Sequence, residues 1–199
     1  LIDAAIKYKV KMLIDISSDK AVNPSNIYGY TKGVGERLTL QANQRTKDTD
    51  FICVRAGNAL GSNGSLVPYV INQIRTKNEI IVTDETMTRY CLTLKDAIER
   101  VISTTIIGMQ GDTFIFNMPS FYIIDIVQIL KEHYGNEQTK IKTIGKREGE
   151  KIHEIIISDF EVSRTHYVNE KLFVFYSQLV TGRMNFHTWD HFDLHVDHH

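Results

Sequence analysis

The feature that most constrains this chain is a dense run of hydroxyl and titratable side chains directly after a short apolar segment. Residues 12–16 (MLIDI) are mostly apolar and predict a buried strand. Residues 17–32 then supply serines, a carboxylate, two lysines and two tyrosines, and residues 27–44 predict a helix. Because open α/β folds bind ligands at the carboxyl ends of their strands, this run predicts a ligand site.

Tyr28 and Lys32 are four residues apart within the predicted helix. They therefore share a helix face, with Cβ atoms roughly 6 Å apart. An ammonium so close to a phenol favours the phenolate, which suits a base that removes an alcohol proton near neutral pH. Such a pair alone is common on surface helices, but the serine, acid and lysine run just upstream favours a catalytic interpretation.

The motif has a clear family resemblance. Residues 16–24 (ISSDKAVNP) and 26–32 (NIYGYTK) closely resemble the extended short-chain dehydrogenase/reductases. Among these, the chain looks like the nucleotide-sugar 4,6-dehydratases of polysaccharide biosynthesis, which act on UDP-N-acetylglucosamine. That family usually has threonine where this chain has Ser18, a change that keeps the hydroxyl. The resemblance covers roughly residues 1–175 through four motifs in the expected order.

The resemblance implies an α/β fold, namely the second half of a doubly wound, Rossmann-like parallel sheet plus a small α/β substrate-binding region. We expect residues 1–79 to be the carboxyl-terminal part of the NAD(P)-binding domain, residues 80–175 to bind mainly the nucleotide sugar, and residues 176–199 to form a divergent tail. No glycine-rich phosphate turn follows a strand, since the first glycine is Gly29 inside the motif. We therefore expect the carboxyl-terminal portion of a longer protein, inactive by itself.

The chemistry that the resemblance implies is dehydration of a UDP-N-acetylhexosamine with bound NADP, or NAD. Tyr28 takes the 4-hydroxyl proton while hydride passes to the nicotinamide and later returns to carbon 6. Lys20 takes the carbon 5 proton, and Asp19 protonates the departing 6-hydroxyl. Ser18 hydrogen-bonds the 4-oxygen, and Lys32 holds the nicotinamide ribose. Asp19 must carry a proton for this role, a state that burial favours.

Two further segments supply candidate substrate ligands. Residues 55–65 (RAGNALGSNGS) predict a loop, because Gly, Asn and Ser favour turns. The family contacts substrate with this segment, which makes Asn58 a candidate, although Ala56 stands where an aromatic is usual. Residues 87–90 (MTRY) make Arg89 a candidate diphosphate ligand, since a guanidinium can bind phosphate through two hydrogen bonds. Without the resemblance, Arg89 would be read as a surface arginine.

The fourth motif is the charged run at residues 146–154 (KREGEKIHE). In the resembling family its arginine reaches the nucleotide diphosphate, which implies substrate-binding roles for Arg147 and Glu150. Glu148 replaces the usual proline. A solvated helix start is the alternative interpretation, and His153 is expected to be structural.

Two alternatives to the dehydratase stay open. A nucleotide-sugar epimerase of the same superfamily is the first, but it needs no acid/base pair such as Asp19 and Lys20 for elimination. The second is a non-catalytic remnant that binds a UDP-sugar or a partner chain, which the missing glycine turn favours. An exposed sheet edge would promote such association. Tyr28 places the chain in the tyrosine-bearing branch, whose members can also invert carbon 5.

The composition and the tail restrict the expected partners, location and metal binding of the protein. A net charge of -1 gives no electrostatic case for nucleic acid or an anionic membrane, and no apolar run approaches membrane-spanning length. Cys53 and Cys91 predict reduced core residues of a cytoplasmic protein. A full-length parent is expected to be a homo-oligomer. His187, His191 and His195 would share a helix face and could bind a transition metal, but a polar terminus is favoured, so no metal site is expected.

The remaining pattern predicts alternating helices and strands. Besides the elements above, it predicts helices over residues 1–8, 68–77, 94–109 and 121–134, the last capped by Ser120, and strands over residues 50–54, 80–82, 113–117 and 141–144.

Overall fold

A computed structural model describes residues 1–176, which divide into two compact units. Unit 1 contains residues 1–56, 99–117 and 155–176, and unit 2 contains residues 57–98 and 118–154. These interleaved units differ from the contiguous ranges expected from the sequence, because the chain passes back and forth between them. The functional roles expected for residues 1–79 and 80–175 stay predictions. The histidine-rich tail lies outside the described residues.

The helices and strands follow one another in this order along the chain: α1 (Ile2–Lys7), β1 (Met12–Ser18), α2 (Ile27–Ala42), β2 (Asp50–Ala56), β3 (Asn58–Leu60), α3 (Leu66–Lys77), β4 (Glu79–Val82), β5 (Thr88–Thr93), α4 (Leu94–Ile107), β6 (Asp112–Phe116), β7 (Ser120–Tyr122), α5 (Ile123–Tyr134), β8 (Lys140–Thr143), α6 (Asp159–Val162), β9 (Thr165–Asn169) and β10 (Leu172–Tyr176).

Unit 1 is built on a five-stranded sheet with the order β1-β2-β6-β10-β9. The strands β1, β2 and β6 are parallel, and β10 pairs antiparallel with both of its neighbours. Residues 51–54 of β2 are fully buried, as expected for a strand covered on both faces. The Asn43 side chain donates to Leu40 O and Phe51 O and accepts from Phe51 N, so it fastens the end of α2 to β2.

Unit 2 has a three-stranded sheet, β3-β5-β7, and a parallel pair, β4-β8. The helices α3 and α5 contact each other, and α3 also contacts β4. Apolar side chains from these elements form one buried cluster: Val70, Ile74, Ile80, Val82, Val127 and Leu130. Local periodicity predicts these elements well because each one buries a single apolar face.

The sequence correctly predicts the mixed α/β class and most long elements, including α3 with Pro68 in its first turn. Two local predictions are wrong. The predicted loop at residues 55–65 contains the end of β2 and all of β3, because Asn58–Leu60 pairs with β5. The predicted cap Ser120 instead begins β7, which pairs with β5, and α5 starts at Ile123 without a side-chain cap. In both cases pairing with a distant strand overrides local propensity.

Replacing Ile80 with alanine tests the buried cluster of unit 2. Ile80 is 0% exposed, so the truncation should leave a cavity and lower the free energy of unfolding by about 2–5 kcal/mol in urea titrations. The matched control is Ile106→Ala, because Ile106 is 77% exposed and its loss should cost under about 0.5 kcal/mol. Equal losses for the two variants would contradict this description of the core.

Candidate active site

The turn that follows β1 gathers the predicted serine, acid and lysine into one hydrogen-bonded group. Residues 19–21 form a single 3-10 turn, and Ser18 caps it by accepting from Lys20 N. Ser18 Oγ donates to Asp19 Oδ1 at 2.8 Å, and Lys20 Nζ lies 2.9 Å from the same oxygen. Asp19 is completely buried. Asp19 and Lys20 therefore form an ion pair, whereas the elimination expected from the sequence needs Asp19 to carry a proton.

Helix α2 presents the predicted tyrosine and lysine close to this turn. Asn26 caps the helix through its side-chain oxygen, which accepts from Gly29 N at 2.9 Å. Lys32 Nζ donates to the backbone oxygen of Ile16 in β1 at 2.7 Å, so the ammonium is anchored to the strand that leads into the turn. Tyr28 is 53% exposed, which leaves its ring accessible to a ligand.

Gly29 is what allows α2 to approach the turn so closely. A Cβ atom at this position would overlap the backbone oxygen of Lys20 and would lie 3.0 Å from Pro24 Cβ. Any larger residue would push the start of α2 away from the turn. Gly29 therefore lets the first turn of α2, which carries Tyr28, lie against the turn that contains Lys20.

Buried polar atoms remain without partners along this strand and turn. Among the described residues, Asp15 Oδ2, Ser17 Oγ and Asp19 Oδ2 are buried and make no hydrogen bond within the protein. Buried polar atoms are nearly always satisfied by protein, water or ligand. Ser17 Oγ and Asp19 Oδ2 thus mark the carboxyl end of β1 as a place suited to a polar ligand.

A buried ion cluster, which the sequence analysis missed, lies in the same unit. Arg55 in β2 donates from Nε and Nη2 to the two carboxylate oxygens of Glu36 in α2, at 2.9 and 2.8 Å. It also donates to both oxygens of Glu161 in α6, at 2.9 and 2.8 Å. Burial alone would lower the pKa of Arg55, but these hydrogen bonds outweigh it and raise that pKa. The cluster fastens α2 to β2, and Arg55 pairs in register with Ser17.

The ion cluster forms part of the wall of a cavity of about 570 Å³ in unit 1. Arg37, Arg164, Tyr30 and Phe160 also line this cavity. Arg164 stacks on the ring of Phe175 with its guanidinium carbon 4.8 Å from the ring centroid. None of the residues predicted to be catalytic lines this space, so it is separate from the serine, acid and lysine group.

In unit 2, Arg89 is buried and its guanidinium contacts the backbone. Its Nη1 donates to Thr88 O and to Ile152 O, and its Nη2 donates to Lys151 O at 3.0 Å. In this structure Arg89 therefore supports the segment that carries the fourth motif. Its predicted role as a diphosphate ligand stays a prediction, since those donors are directed at carbonyl groups here.

The other predicted substrate residues also lie in unit 2. Arg147 and Glu150 face each other across a turn, since Arg147 N donates to Glu150 Oε2 and Glu150 N donates to Arg147 O. Asn58 lies opposite Cys91 of β5, two residues along that strand from Arg89. Asn58 and Arg89 thus lie on neighbouring strands, and Arg89 contacts Lys151 and Ile152, which follow the turn formed by Arg147 and Glu150. Their roles stay predictions.

His153 and the two cysteines also lie within the described residues. His153 Nδ1 lies 2.8 Å from Thr88 Oγ1, in keeping with a structural role. Both cysteines, Cys53 and Cys91, are buried and free, as predicted. Within residues 1–176, no helix has the length and apolar character to cross a membrane. No group of three or more metal-ligating side chains is found in that range either.

One protein-family model and several curated proteins match most of this chain. A family model described as "Polysaccharide biosynthesis protein" matches residues 1–176. The chain is 37% identical over 193 residues to "Uncharacterized membrane protein MJ1061" of Methanocaldococcus jannaschii, covering 93% of this chain and 58% of the relative. It is 36% identical over 166 residues to the UDP-glucose 4-epimerase of Rickettsia canadensis, covering 82% of this chain and 48% of that protein. The chain thus spans about half the length of the curated relatives it matches.

Solved structures extend the comparison. Pen from Bacillus thuringiensis superposes with a TM-score of 0.84 at 37% identity, covering 89% of this chain and 57% of Pen. Several sugar-nucleotide dehydratases and epimerases superpose with TM-scores of 0.64–0.66 at 13–17% identity, which shows a shared Rossmann-like fold alone. The predicted fold class is confirmed.

Replacing Gly29 with alanine tests the close approach of α2 to the turn. The added methyl group must displace the backbone of Lys20 or the start of α2, so the melting temperature should fall despite the higher helix propensity of alanine. Gly33→Ala is the matched control, because a Cβ there meets only Ala21 O at 3.4 Å. That variant should be neutral or up to about 1 kcal/mol more stable. A stabilised Gly29→Ala protein would contradict the proposed contact.

Replacing Glu161 with glutamine tests the ion cluster through its pH dependence. Burial would raise the pKa of Glu161, but hydrogen bonds from Arg55 outweigh it and hold that pKa below the ordinary value of 4.5. Its stabilisation is therefore complete above pH 4.5 and is lost as the pH falls through the lowered pKa. We expect Glu161→Gln to cost about 1–3 kcal/mol at pH 7, and less below pH 4.5, in urea titrations.

The control for this measurement is Glu99→Gln, because Glu99 forms an exposed pair with Lys171 at 3.8 Å. Its loss should change the free energy of unfolding by under about 1 kcal/mol at every pH. A Glu161→Gln cost that stays constant down to pH 3 would show that the carboxylate charge is not what stabilises the cluster.

Proposed function

Because the chain belongs to the polysaccharide biosynthesis protein family, we propose that it carries the catalytic motif of a nucleotide-sugar 4,6-dehydratase. The substrate would be UDP-N-acetylglucosamine and the product a UDP-4-keto-6-deoxy sugar. The observation that carries this proposal is the contact of Ser18 and Lys20 with the buried Asp19 at the carboxyl end of β1. Elimination of water needs a base and an acid side by side, and this pair supplies both.

The base and the acid can share one proton. Lys20 Nζ lies 2.9 Å from Asp19 Oδ1, so transfer of a single proton converts the ion pair into a neutral amine and a neutral carboxylic acid. The amine then takes the carbon 5 proton, which is acidic once carbon 4 is a ketone. The acid protonates the departing 6-oxygen as water leaves. These two transfers restore the original ion pair, so the charges balance over the step.

Tyr28 and Lys32 would act at carbon 4 of the sugar, where the reaction begins. The exposed Tyr28 phenol is the proposed base for the 4-hydroxyl proton, and Ser18 Oγ would hydrogen-bond the 4-oxygen. Lys32 is anchored to Ile16 O at 2.7 Å, which keeps its positive charge beside the helix turn that carries Tyr28. That charge would stabilise the negative charge that develops on the Tyr28 oxygen as the proton is transferred.

The residues present fit a nicotinamide cofactor, NADP or NAD. Ser17 Oγ and Asp19 Oδ2 are buried polar atoms without a protein partner, and Tyr28 is accessible. Tyr28 and Lys32 would hold the ribose of the cofactor. When bound, a nicotinamide would supply the hydride chemistry, by accepting hydride from carbon 4 of the sugar and returning it to carbon 6, while the Lys20 ammonium would return a proton to carbon 5. Homo-oligomerisation of the full-length protein is part of the same proposal.

The nucleotide part of the substrate is assigned to unit 2. Arg147 is exposed and is the proposed diphosphate ligand, with Glu150 holding its turn. Asn58 is the proposed sugar ligand. Arg89 is retained as a second diphosphate ligand, and binding would require it to exchange a carbonyl contact for a phosphate oxygen.

An epimerase that acts on a nucleotide sugar is the second candidate, because the Rickettsia canadensis relative is named UDP-glucose 4-epimerase. An epimerase oxidises and re-reduces carbon 4 without losing water. The buried Asp19 and its contact with Lys20 would then have no chemical step to perform. The mass of the product distinguishes the two candidate reactions, because only the dehydratase removes water.

The test is the Lys20→Met variant of the complete polypeptide, assayed with UDP-N-acetylglucosamine and NADP by mass spectrometry for loss of one water. We expect elimination to fall by about 10²–10⁴-fold, since a positioned base contributes about that much, while the substrate still binds. The matched control is Lys11→Met, an exposed lysine just before β1, which should keep full activity. Elimination in Lys20→Met within tenfold of the parent would refute the assigned role.

A further inference from the structure

The strand under α2 contains a carboxylate where an apolar residue would be expected. Asp15 lies within the apolar segment Met12–Ile16 of β1, and its side chain faces α2, since a Cβ at Gly35 would lie 3.6 Å from Asp15 Oδ2. The neighbour on the same strand face, Leu13, packs against the apolar cluster of Ala5, Ala42 and Phe51. Burying a carboxylate at this position lowers the stability of the fold, so its presence indicates a role other than packing.

That cost is visible at Asp15 itself. Its Oδ2 atom is buried and accepts no hydrogen bond within the described residues. Burial raises the pKa of Asp15, and the nearby charge of Glu36 raises it further, while the charge of Lys32 lowers it. In register on β2 lies Cys53, whose pKa is raised mainly by burial and partly by Glu36 and Asp15. Lys32 is thus the cation that favours the ionised Asp15.

Lys32 is anchored to this part of the strand. Its Nζ donates to the backbone oxygen of Ile16, the residue that follows Asp15. Lys32 also lies one helical turn before Gly35, the residue of α2 that faces Asp15 Oδ2. Glu36 is occupied by the two hydrogen bonds from Arg55, so it has its own cation.

We propose that Asp15 is a positioning residue that holds the Lys32 ammonium in place through its negative charge. This inference rests on the proposed function, in which Lys32 stabilises negative charge that develops on the Tyr28 oxygen and holds the cofactor ribose. Asp15 would not touch substrate or cofactor. It would keep the ammonium fixed at the Ile16 carbonyl, at the expense of folding stability.

The first test follows the Lys32 ammonium by NMR in the chain labelled with 15N-lysine. The signal is assigned by its disappearance in Lys32→Met. We expect Asp15→Asn, which keeps the shape but removes the charge, to speed hydrogen exchange of this ammonium severalfold. Asp48→Asn is the matched control, because Asp48 pairs with exposed Lys9 at 2.9 Å and its loss should leave the Lys32 signal unchanged.

The second test measures stability as a function of pH. Because the pKa of Asp15 is raised in the folded state, the acid destabilises the fold as pH rises above 3.8, so Asp15→Asn should melt higher than the parent at pH 7 and equally at pH 3. Removing Lys32 removes the compensating charge. The gain from Asp15→Asn should therefore be larger in the Lys32→Met background, by roughly 2–4 °C.

An unchanged Lys32 ammonium in Asp15→Asn, or an equal gain in melting temperature in both backgrounds, would overturn the proposal. A faster exchange together with the larger gain would support it. Loss of the fold cannot explain the first result, because Asp15→Asn is expected to be more stable than the parent. Neither readout uses turnover, so the coupling of Asp15 to Lys32 can fail or hold independently of the dehydratase reaction.

Discussion

The close approach of α2 to the turn after β1 is the constraint on which the candidate site depends. Gly29 permits it by having no side chain where Lys20 O lies. The Asn26 cap starts the helix at that point, and the bond from Lys32 Nζ to Ile16 O ties the next helical turn back to β1. These contacts hold the first turns of α2, which carry Tyr28 and Lys32, against β1 and the turn that contains Lys20. The placement of the proposed catalytic groups of unit 1 therefore depends on backbone packing of one strand, one turn and one helix.

Unit 1 also buries several charged side chains. Three carboxylates lie in α2 or beside it, and each has different partners. Asp19 accepts from Ser18 and Lys20, Glu36 accepts two hydrogen bonds from Arg55, and Asp15 retains a buried oxygen without a protein partner. Burying a charge is unfavourable unless it is paired, and even a paired charge gains little over a packed apolar group. Their cost is consistent with the chemistry proposed for the helix that carries Tyr28 and Lys32.

Local sequence patterns predict the elements whose structure is decided locally. The apolar run at residues 12–16, the helix from Ile27 and the helix that contains Pro68 all follow from periodicity and from proline placement. The short strands β3 and β7 do not, because each is fixed by pairing with β5 rather than by its own residues. Arg55 could be seen as a charge at the end of an apolar strand, but its partner Glu161 lies 106 residues away. The family motif identifies Asp19 as a candidate. The two hydrogen bonds that its Oδ1 atom accepts depend on the folded turn and cannot be predicted from the sequence.

Water elimination by Lys20 and Asp19 is tested most directly by running the reaction in D₂O. The complete polypeptide is incubated with UDP-N-acetylglucosamine and NADP, and the product is examined by mass spectrometry and NMR. If Lys20 removes the carbon 5 proton, the product has lost one water and carries one solvent deuterium at carbon 5, because the ammonium exchanges its protons with solvent. A product of unchanged composition with inverted carbon 4 and no deuterium would contradict dehydration and would identify an epimerase.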